Sequence, residues 1–435
     1  MKTSDVAAAT LRKITLRLIP FLFLLYIVAW LDRVNVGFAG LQMNADLGFS
    51  SAAFGFGSGV FFLGYCLFEV PSNLVLHRVG ARRWISRIMI SWGAISTAMM
   101  FVRTTPAFYL LRFLLGAAEA GFFPGVVYYL SRWYPEGQRA RAIAAFMTAV
   151  PVSGVIGGPL SGALLTLNGL FGLAGWQWLF LVEGVPAILL GVIVLVYLTD
   201  RPETADWLNS AEKDWLVSSL EAERYSSRGA RPIGIFAALT NRTIWHLGVI
   251  FLFAAIGFYG YSFWAPLVVK SFTGTSDLGV GVILGAISAV TIIGMMLNSA
   301  HSDRSDERPL HVAIPLLISG AGFFGSAVLR QTILALFFLA LVPIGHCAAY
   351  GPFWSMPSRF LTGAPAAAGV ALVVTIANVG GFFGPTIIGA MQDRFGTHGP
   401  AFMLLGGCAF VAALLALWLQ STEALKRPMA QAASS

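Results

Sequence analysis

Charged side chains are scarce in this chain of 435 residues. Lys, Arg, Asp and Glu make up 11% of it and hydrophobic residues 57%, whereas a typical soluble domain is about 25% charged. A single water-facing shell cannot hide that much apolar surface. The scarcity of charge therefore excludes an ordinary soluble globular protein.

Cysteine is nearly absent as well. Cys66, Cys347 and Cys408 have no paired spacing and form no metal-ligand pattern. The sequence also lacks a nucleotide-binding loop of the form G-x-x-x-x-G-K-[ST]. We therefore expect no disulfide framework, no metal, no cofactor and no pumping driven by ATP.

Long apolar runs are what the chain has in abundance. Each is roughly 20 residues long, the length that an α-helix needs to cross about 30 Å of hydrocarbon. Twelve such runs begin near residues 16, 54, 84, 107, 141, 177, 244, 278, 311, 332, 366 and 398. The pattern predicts an all-α polytopic membrane protein with twelve transmembrane helices.

The net charge of +8 is unevenly divided between the loops. With both termini inside the cell, the cytoplasmic segments hold clusters such as Arg78, Arg82 and Arg83, and the opposite loops hold isolated cations such as Arg103 and Lys270. This asymmetry is the positive-inside signature of membrane topology. The basic charge thus indicates orientation in a bilayer, not nucleic-acid binding. We expect a multi-pass protein of the bacterial inner membrane that functions as a monomer.

The longest polar interruption divides the runs into six and six. We predict a six-helix bundle over residues 1–198, a cytoplasmic linker over 199–243, and a second six-helix bundle with a short tail over 244–435. In the linker, Ser210 can cap a short amphipathic helix that carries Glu212 in its first turn, where a carboxylate suits the helix dipole.

Ionisable side chains within the predicted spans are concentrated in the first half. A charge near the bilayer centre costs roughly 2.5–3.5 kcal/mol even on a lenient scale, so such groups need partners or a wet cavity. The first half has Asp32, Arg33, Glu69, Arg112, Glu119 and Glu183, and the second has His346 with neutral groups such as Ser355 and Asn378. We expect charge handling in the first half and neutral hydrogen bonding in the second.

Arg112 and Glu119 are seven residues apart, which places them two turns apart on one helix face. Burial favours a neutral Glu119, whereas Arg112 or Arg33 nearby favours the ionised form. A carboxyl group balanced in this way can bind and release a proton. The alternative is a static buried ion pair that fixes helix packing.

Asp32 and Arg33 are adjacent in the first span, about 100° apart around a helix of roughly 3.6 residues per turn. The planar guanidinium of arginine suits two-point contact with a carboxylate. We interpret Arg33 as the group that binds an anionic substrate, with Asp32 either holding Arg33 or carrying a proton. The alternative is an internal salt bridge. Glu69, near the cytoplasmic end of its span, is interpreted as a gate or as a partner for a basic loop residue.

Two loops at corresponding places in the halves, HRVGARR (His77–Arg83) and SDRSDER (Ser302–Arg308), resemble the loop signature of the major facilitator superfamily. The first copy departs from the signature at Asn73 and His77, where Gly and Asp are usual. This resemblance implies two six-helix domains that work by alternating access.

A narrower set of motifs is similar to the anion:cation symporter family. The motifs are LDRVNVGFA, GYCLFEVPSNL, EAGFFP, GWQWLFLVEGVPA, FWSMPSRFLTGAPAAAG and NVGGFFGP. The family includes carriers of tartrate, sugar acids, phthalate and hydroxyphenylacetate. The resemblance implies proton coupling by Asp32 and Glu119. From its spacing to Glu119, we expect Arg112 to modulate this coupling.

The same resemblance implies which residues contact the substrate. They are Arg33 and Tyr65, with polar contacts from Ser355 and Asn378. Aromatic side chains at Trp30, Tyr261 and Trp354 complete the expected set. Trp30 stands where the sugar-acid carriers have tyrosine and Val150 near a position where they have glutamine. Both changes favour a shorter or aromatic carboxylate.

The sequence thus predicts proton-coupled import of an organic carboxylate, with sodium coupling left open. Export or exchange of anionic metabolites on the same fold is the alternative. No nucleophile–base set or metal ligands occur in the spans, so an enzyme is not expected.

Overall fold

The computed structural model describes residues 3–227, 240–329, 332–356 and 364–421, and these contain helices but no β-strand. The predicted all-α fold is confirmed. The helices of the first half are α1 (Thr3–Leu47), α2 (Ser51–Val79), α3 (Ala81–Ala98), α4 (Thr105–Glu119), α5 (Phe122–Ser131), α6 (Glu136–Met147), α7 (Ala149–Leu165) and α8 (Gly175–Tyr197). They are followed by α9 (Ser210–Ser227), α10 (Arg242–Thr273), α11 (Asp277–Ser305), α12 (Pro309–Val328), α13 (Ile333–Ser355), α14 (Ala364–Phe395) and α15 (Gly399–Ser421).

Within these residues, 11 helical segments are long and apolar enough to cross a membrane. The pairs α4–α5 and α6–α7 each form one of them. The remaining predicted run is α3, an 18-residue helix that carries Arg82, Arg83 and Arg87 near its start. Those arginines make α3 the least apolar of the predicted spans, although its later turns bury residues such as Trp92.

The chain divides into two compact units whose boundaries differ from the predicted ones. The first unit comprises Met1–Asn35, Leu63–Ser153 and Gln177–Arg231, and the second comprises Val36–Phe62, Gly154–Trp176 and Pro232–Ser435. The second unit therefore includes the C-terminal part of α1, the N-terminal part of α2 and most of α7, together with the helices of the second half. The division of the chain into two six-helix bundles, over residues 1–198 and 244–435, stays a prediction.

Within the second unit, helices from the two halves of the sequence contact each other closely. Gly158 of α7 and Gly281 of α11 lie so near that a Cβ on either would collide with the other's carbonyl oxygen. Small residues allow such close backbone approach between membrane helices. The Asp393 carboxylate in α14 accepts hydrogen bonds of 2.9 Å from the backbone N–H groups of Ser51 and Ala52. It thus satisfies free amides at the start of α2.

The linker helix α9 packs on the first unit. Leu216 and Leu220 are buried there. Asn209, not Ser210, caps the helix, so that prediction was wrong by one residue. The Asn209 side chain accepts a 2.9 Å hydrogen bond from the Glu212 N–H, and the Glu212 carboxylate accepts one from the Asn209 N–H. This reciprocal arrangement is a capping box.

Lys13 of α1 donates a 3.0 Å hydrogen bond to the Glu212 carboxylate. Burial acts to raise the pKa of Glu212, but the hydrogen bonds from the Asn209 N–H and from Lys13 outweigh it, so the pKa lies below its usual value. The ionised form of Glu212 thus ties the linker to the first helix.

Glu212→Gln should lower the stability of the protein at neutral pH by about 1 kcal/mol, because it weakens the capping box and removes the ion pair. A lowered pKa contributes stability above the unfolded value of about 4.3, and this contribution is lost as the pH falls below it. Thermal unfolding from pH 7 down to pH 3 should therefore show the difference from wild type shrinking in acid. Exposed Glu221→Gln on α9 is the control. A difference that persists unchanged in acid would contradict this assignment.

Candidate functional site

The centre of the first unit is an ion pair between Arg33 of α1 and Glu119 of α4. The Glu119 side chain is 3% exposed and that of Arg33 is 11% exposed. Both helices are apolar around these positions, so little water is available to solvate either charge. A buried charge of this kind is tolerated when a partner compensates it.

Asp32 is held by neutral donors in the same unit. Its Oδ1 accepts hydrogen bonds from the Ser96 hydroxyl of α3 and, at 3.0 Å, from the Asn35 side chain. Asp32, Asn35 and Ser96 are all buried. The ion pair in the structure therefore links Arg33 to Glu119, and the partners of Asp32 are a hydroxyl and an amide.

Arg112, on α4, is fully buried. It interacts electrostatically with both Asp32 and Glu119. The cluster thus contains two cations, Arg33 and Arg112, and the two acids for which proton coupling is predicted, Asp32 and Glu119. The arrangement is electroneutral when all four are ionised, which limits the cost of placing them in an apolar surrounding.

A break in the fourth span positions Glu119. Helix α4 ends at Glu119, the chain turns through Ala120 and Gly121, and α5 begins at Phe122. Gly121 has φ +90°, and a Cβ there would also collide with the Ser72 hydroxyl, so glycine is required. Ser72 donates a 2.6 Å hydrogen bond to the Ala120 carbonyl oxygen. Irregular backbone within a membrane span is tolerated where the protein satisfies it in this way.

Two aromatic rings flank the Arg33 guanidinium. Its Cζ lies 5.1 Å from the ring centroid of Trp30 and 5.4 Å from that of Tyr65. These distances allow cation–π attraction. Gly64, next to Tyr65, lies against the backbone of Phe113 in α4 without room for a Cβ. This close approach of α2 to α4 brings the Tyr65 ring beside the ion pair.

The structure therefore brings together six of the ten residues predicted from the sequence. Asp32, Arg33, Glu119, Arg112, Tyr65 and Trp30 all lie in the first unit. The other four, Tyr261, Trp354, Ser355 and Asn378, lie in the second unit.

In the second unit, Tyr261 on α10 and Asn378 on α14 are buried. Trp354 on α13 packs edge-on against Phe251, with ring centroids 5.0 Å apart. The Ser355 hydroxyl donates a 2.7 Å hydrogen bond to the Pro352 carbonyl oxygen within α13. Helices α13 and α14 both contact α10, so these residues occupy neighbouring helices of one unit. Their part in substrate binding stays a prediction.

Sequence reasoning missed Asn35 and Ser96 as partners of Asp32. A signal existed for Asn35, because residues three apart on a helix are neighbours. Ser96 is 64 residues away in the chain, and a serine in an apolar helix gives no indication of its partner. Only the packing of α3 against α1 reveals this contact.

The cluster can exchange one anion for another. An ionised Glu119 occupies Arg33, and a protonated Glu119 would leave the guanidinium with unused donors in an apolar surrounding. A substrate carboxylate could then replace it through two-point contact with the guanidinium. The geometry thus allows proton binding at Glu119 to control access to Arg33.

Comparison with known proteins gives an independent reading of the chain. The sequence profile of the Major Facilitator Superfamily matches residues 22–385. A protein of Agrobacterium vitis named as a tartrate transporter is 48% identical over 417 residues, which are 96% of this chain and 92% of that protein. A quinolone resistance transporter of Acinetobacter baumannii is 41% identical over 395 residues, or 90% of each chain.

A solved structure supports the fold. The inward-facing, occupied crystal structure of a bacterial homolog to the human lysosomal transporter Spinster matches with a TM-score of 0.74. The match covers 93% of this chain and 96% of that one at 19% sequence identity. At this identity the similarity concerns the fold alone.

Arg33→Gln should destabilise the protein by about 3–5 kcal/mol, because it leaves the Glu119 carboxylate buried without its partner. The double variant with Glu119→Gln should recover at least half of that loss, since no buried charge is then uncompensated. Thermal unfolding in detergent measures both, with exposed Arg83→Gln as the control. If the two substitutions simply add, the ion pair does not contribute as described.

Proposed function

Because the chain belongs to the major facilitator superfamily of secondary transporters, we propose that it imports an organic carboxylate by alternating access, coupled to protons. The observation that carries this proposal is the buried ion pair of Arg33 and Glu119. It offers one cation suited to a carboxylate and one acid whose protonation frees that cation. The tartrate transporter named among the relatives supports a carboxylate as the substrate.

The proposed cycle starts with protons reaching Glu119 and Asp32 from the outer side. Protonated Glu119 no longer holds Arg33, so the guanidinium binds the incoming carboxylate. The rings of Trp30 and Tyr65 keep Arg33 in place during this exchange. The carrier then opens inward, releases substrate and protons, and the restored Arg33–Glu119 pair returns with the empty carrier. Two protons with one monoanion would move net positive charge inward.

The second half is proposed to bind the rest of the substrate with neutral groups. Ser355 and Asn378 supply hydrogen bonds, and Tyr261 and Trp354 supply aromatic surface. Division into two six-helix bundles, residues 1–198 and 244–435 joined by the linker 199–243, completes the proposed carrier. The charge distribution of the loops supports placing both termini on the cytoplasmic side of the bacterial inner membrane, and we propose that the carrier functions as a monomer.

Contacts in the second unit support alternating access. Gln42 of α1 donates a 2.9 Å hydrogen bond to Asp277 of α11, which also binds Lys270 at 2.9 Å. Asp393 caps the start of α2. These contacts join the two sequence halves at the helix ends that the proposed topology places outside. In the proposed cycle these contacts separate when the carrier opens to the outside.

The quinolone resistance transporter among the relatives favours export as the second candidate function. The same cluster serves either direction, because Arg33 can hold an anion that enters from either side. The two functions differ in how the proton gradient is used. Import moves protons with the substrate, and export moves them against it.

Purified protein in proteoliposomes should accumulate tartrate when the outside is acidic, and a protonophore should abolish this accumulation. A panel of tartrate, aldonates, phthalate and hydroxybenzoates, ranked first by thermal shift, selects the probe. Replacing sodium with potassium tests the other coupling ion. Uptake that ignores the pH gradient refutes proton-coupled import, and accumulation that requires an acidic interior indicates export.

Glu119→Gln should retain exchange of internal for external substrate but lose accumulation, because the glutamine cannot release a proton.

Arg33→Lys should weaken substrate binding by about tenfold to a hundredfold, since the lysine ammonium cannot make the two-point contact. Counterflow and net uptake with radiolabelled tartrate separate the two effects. Glu119→Gln that accumulates normally would remove Glu119 from proton coupling.

A further inference from the structure

A third acid, Glu69, faces the ion pair from α2. It lies four residues after Tyr65, one turn further along the same helix face, and the Arg33 guanidinium is 5.4 Å from the Tyr65 ring centroid. Glu69 interacts electrostatically with both Arg33 and Tyr65. The guanidinium therefore has Glu119 of α4 as its ion-pair partner and the Tyr65 ring of α2 beside it, with Glu69 within electrostatic reach.

Glu69 is half-buried, and it differs from the other two acids in having no hydrogen bond or ion pair of its own among the described residues, although Asp32 also has one buried oxygen, Oδ2, without a hydrogen bond. Asp32 accepts hydrogen bonds from Ser96 and Asn35, and Glu119 binds Arg33. The Oε2 atom of Glu69 is buried and accepts no hydrogen bond from any residue that the structure describes. An ionised carboxylate in that position would be poorly stabilised, because burial of an unpaired charge is costly.

The charges of the cluster lead to the same conclusion. Arg33 and Arg112 are balanced by Asp32 and Glu119, so an ionised Glu69 would add one uncompensated negative charge within the membrane. Glu69 in turn acts on the Cys66 thiol of the same helix, and a thiol is ordinarily neutral near pH 7. One proton on Glu69 restores electroneutrality while Arg33 is bound to Glu119.

We propose that Glu69 is the second carboxyl partner of Arg33 and holds the guanidinium when Glu119 is protonated. This inference rests on the proposed proton-coupled transport. In one state Arg33 binds ionised Glu119 and Glu69 carries the proton. In the other, Glu119 carries the proton and Arg33 binds ionised Glu69. Glu119 takes up one proton from the outer side, as in the proposed cycle, and Glu69 releases one to the cavity water, so the net charge of the cluster is unchanged.

This exchange explains how an empty carrier keeps a buried arginine compensated at every stage. Protonation of Glu119 alone would leave Arg33 without an anion until substrate arrives. With Glu69 available, the guanidinium passes from one carboxylate to the other, and substrate competes with Glu69 for it. Glu69 takes up a proton when the substrate carboxylate replaces it. Glu69 is thus a positioning residue for Arg33 as well as a proton site.

A structure of the Glu119→Gln variant tests the exchange without any substrate. Its neutral amide mimics protonated Glu119, so the Arg33 guanidinium should lie within hydrogen-bond distance of the Glu69 carboxylate. Cryo-electron microscopy of the purified full-length protein at neutral pH provides the measurement. An Arg33 that stays on residue 119, or turns away from Glu69, overturns the proposal.

Transport provides the second test. Glu69→Gln should bind tartrate more tightly, because substrate no longer competes with Glu69 for Arg33, whereas net uptake driven by a pH gradient should fall about tenfold, the factor expected from losing one charge-assisted hydrogen bond. The pH profile of uptake should also flatten. Glu69→Asp, which keeps the acid, should restore both. Glu183→Gln, a buried acid on α8, is the matched control and should retain the wild-type profile.

The outcomes separate this inference from the proposed function. Wild-type uptake that ignores the pH gradient refutes proton coupling, whatever Glu69 does. Wild-type uptake that follows the gradient, with an identical pH profile in Glu69→Gln, overturns only the role of Glu69. If Glu69→Gln does not fold, Glu69→Asp and the Glu119→Gln structure still decide the question.

Discussion

The ion pair between Arg33 and Glu119 is the interaction on which the first unit depends. Each charge would be expensive in an apolar helix bundle, and each is tolerable because the other compensates it. The same mutual dependence makes the pair responsive, since one proton on Glu119 removes half of it. The proposed control point for transport thus coincides with a stabilising contact between two side chains, 86 residues apart in the chain.

An irregular stretch of backbone lies next to this ion pair. The fourth span is interrupted directly after Glu119, and Gly121 adopts a conformation that other residues rarely tolerate. Ser72 compensates the interruption by binding the Ala120 carbonyl, and Trp84 in turn donates a 3.0 Å hydrogen bond to Ser72. Residues of α2, α3 and α4 therefore together stabilise the interruption that follows Glu119. In a regular helix, Glu119 would instead be followed directly by another helical turn.

The two sequence halves contribute different chemistry on similar helical frameworks. Buried acidic and arginine side chains such as Asp32, Arg112 and Glu119 lie in the first unit, whereas the buried polar groups of the second include Asn378 and His346. His346 stacks on Phe258 with ring centroids 4.4 Å apart, which suits a packing role. The proposed division into proton handling in the first half and neutral recognition in the second follows this distribution of residues, which the sequence alone had already indicated.

The sequence by itself determined the class of the fold, because twelve apolar runs in a chain with so little charge allow few other structures. It also singled out Asp32, Arg33, Arg112 and Glu119, since ionisable residues in apolar spans are rare and costly. Only the tertiary structure decided their pairing. Helical periodicity places side chains on a face but cannot state which other helix meets that face. The Arg33–Glu119 contact, the Ser96 donor to Asp32 and the position of Glu69 beside Tyr65 all depend on long-range packing.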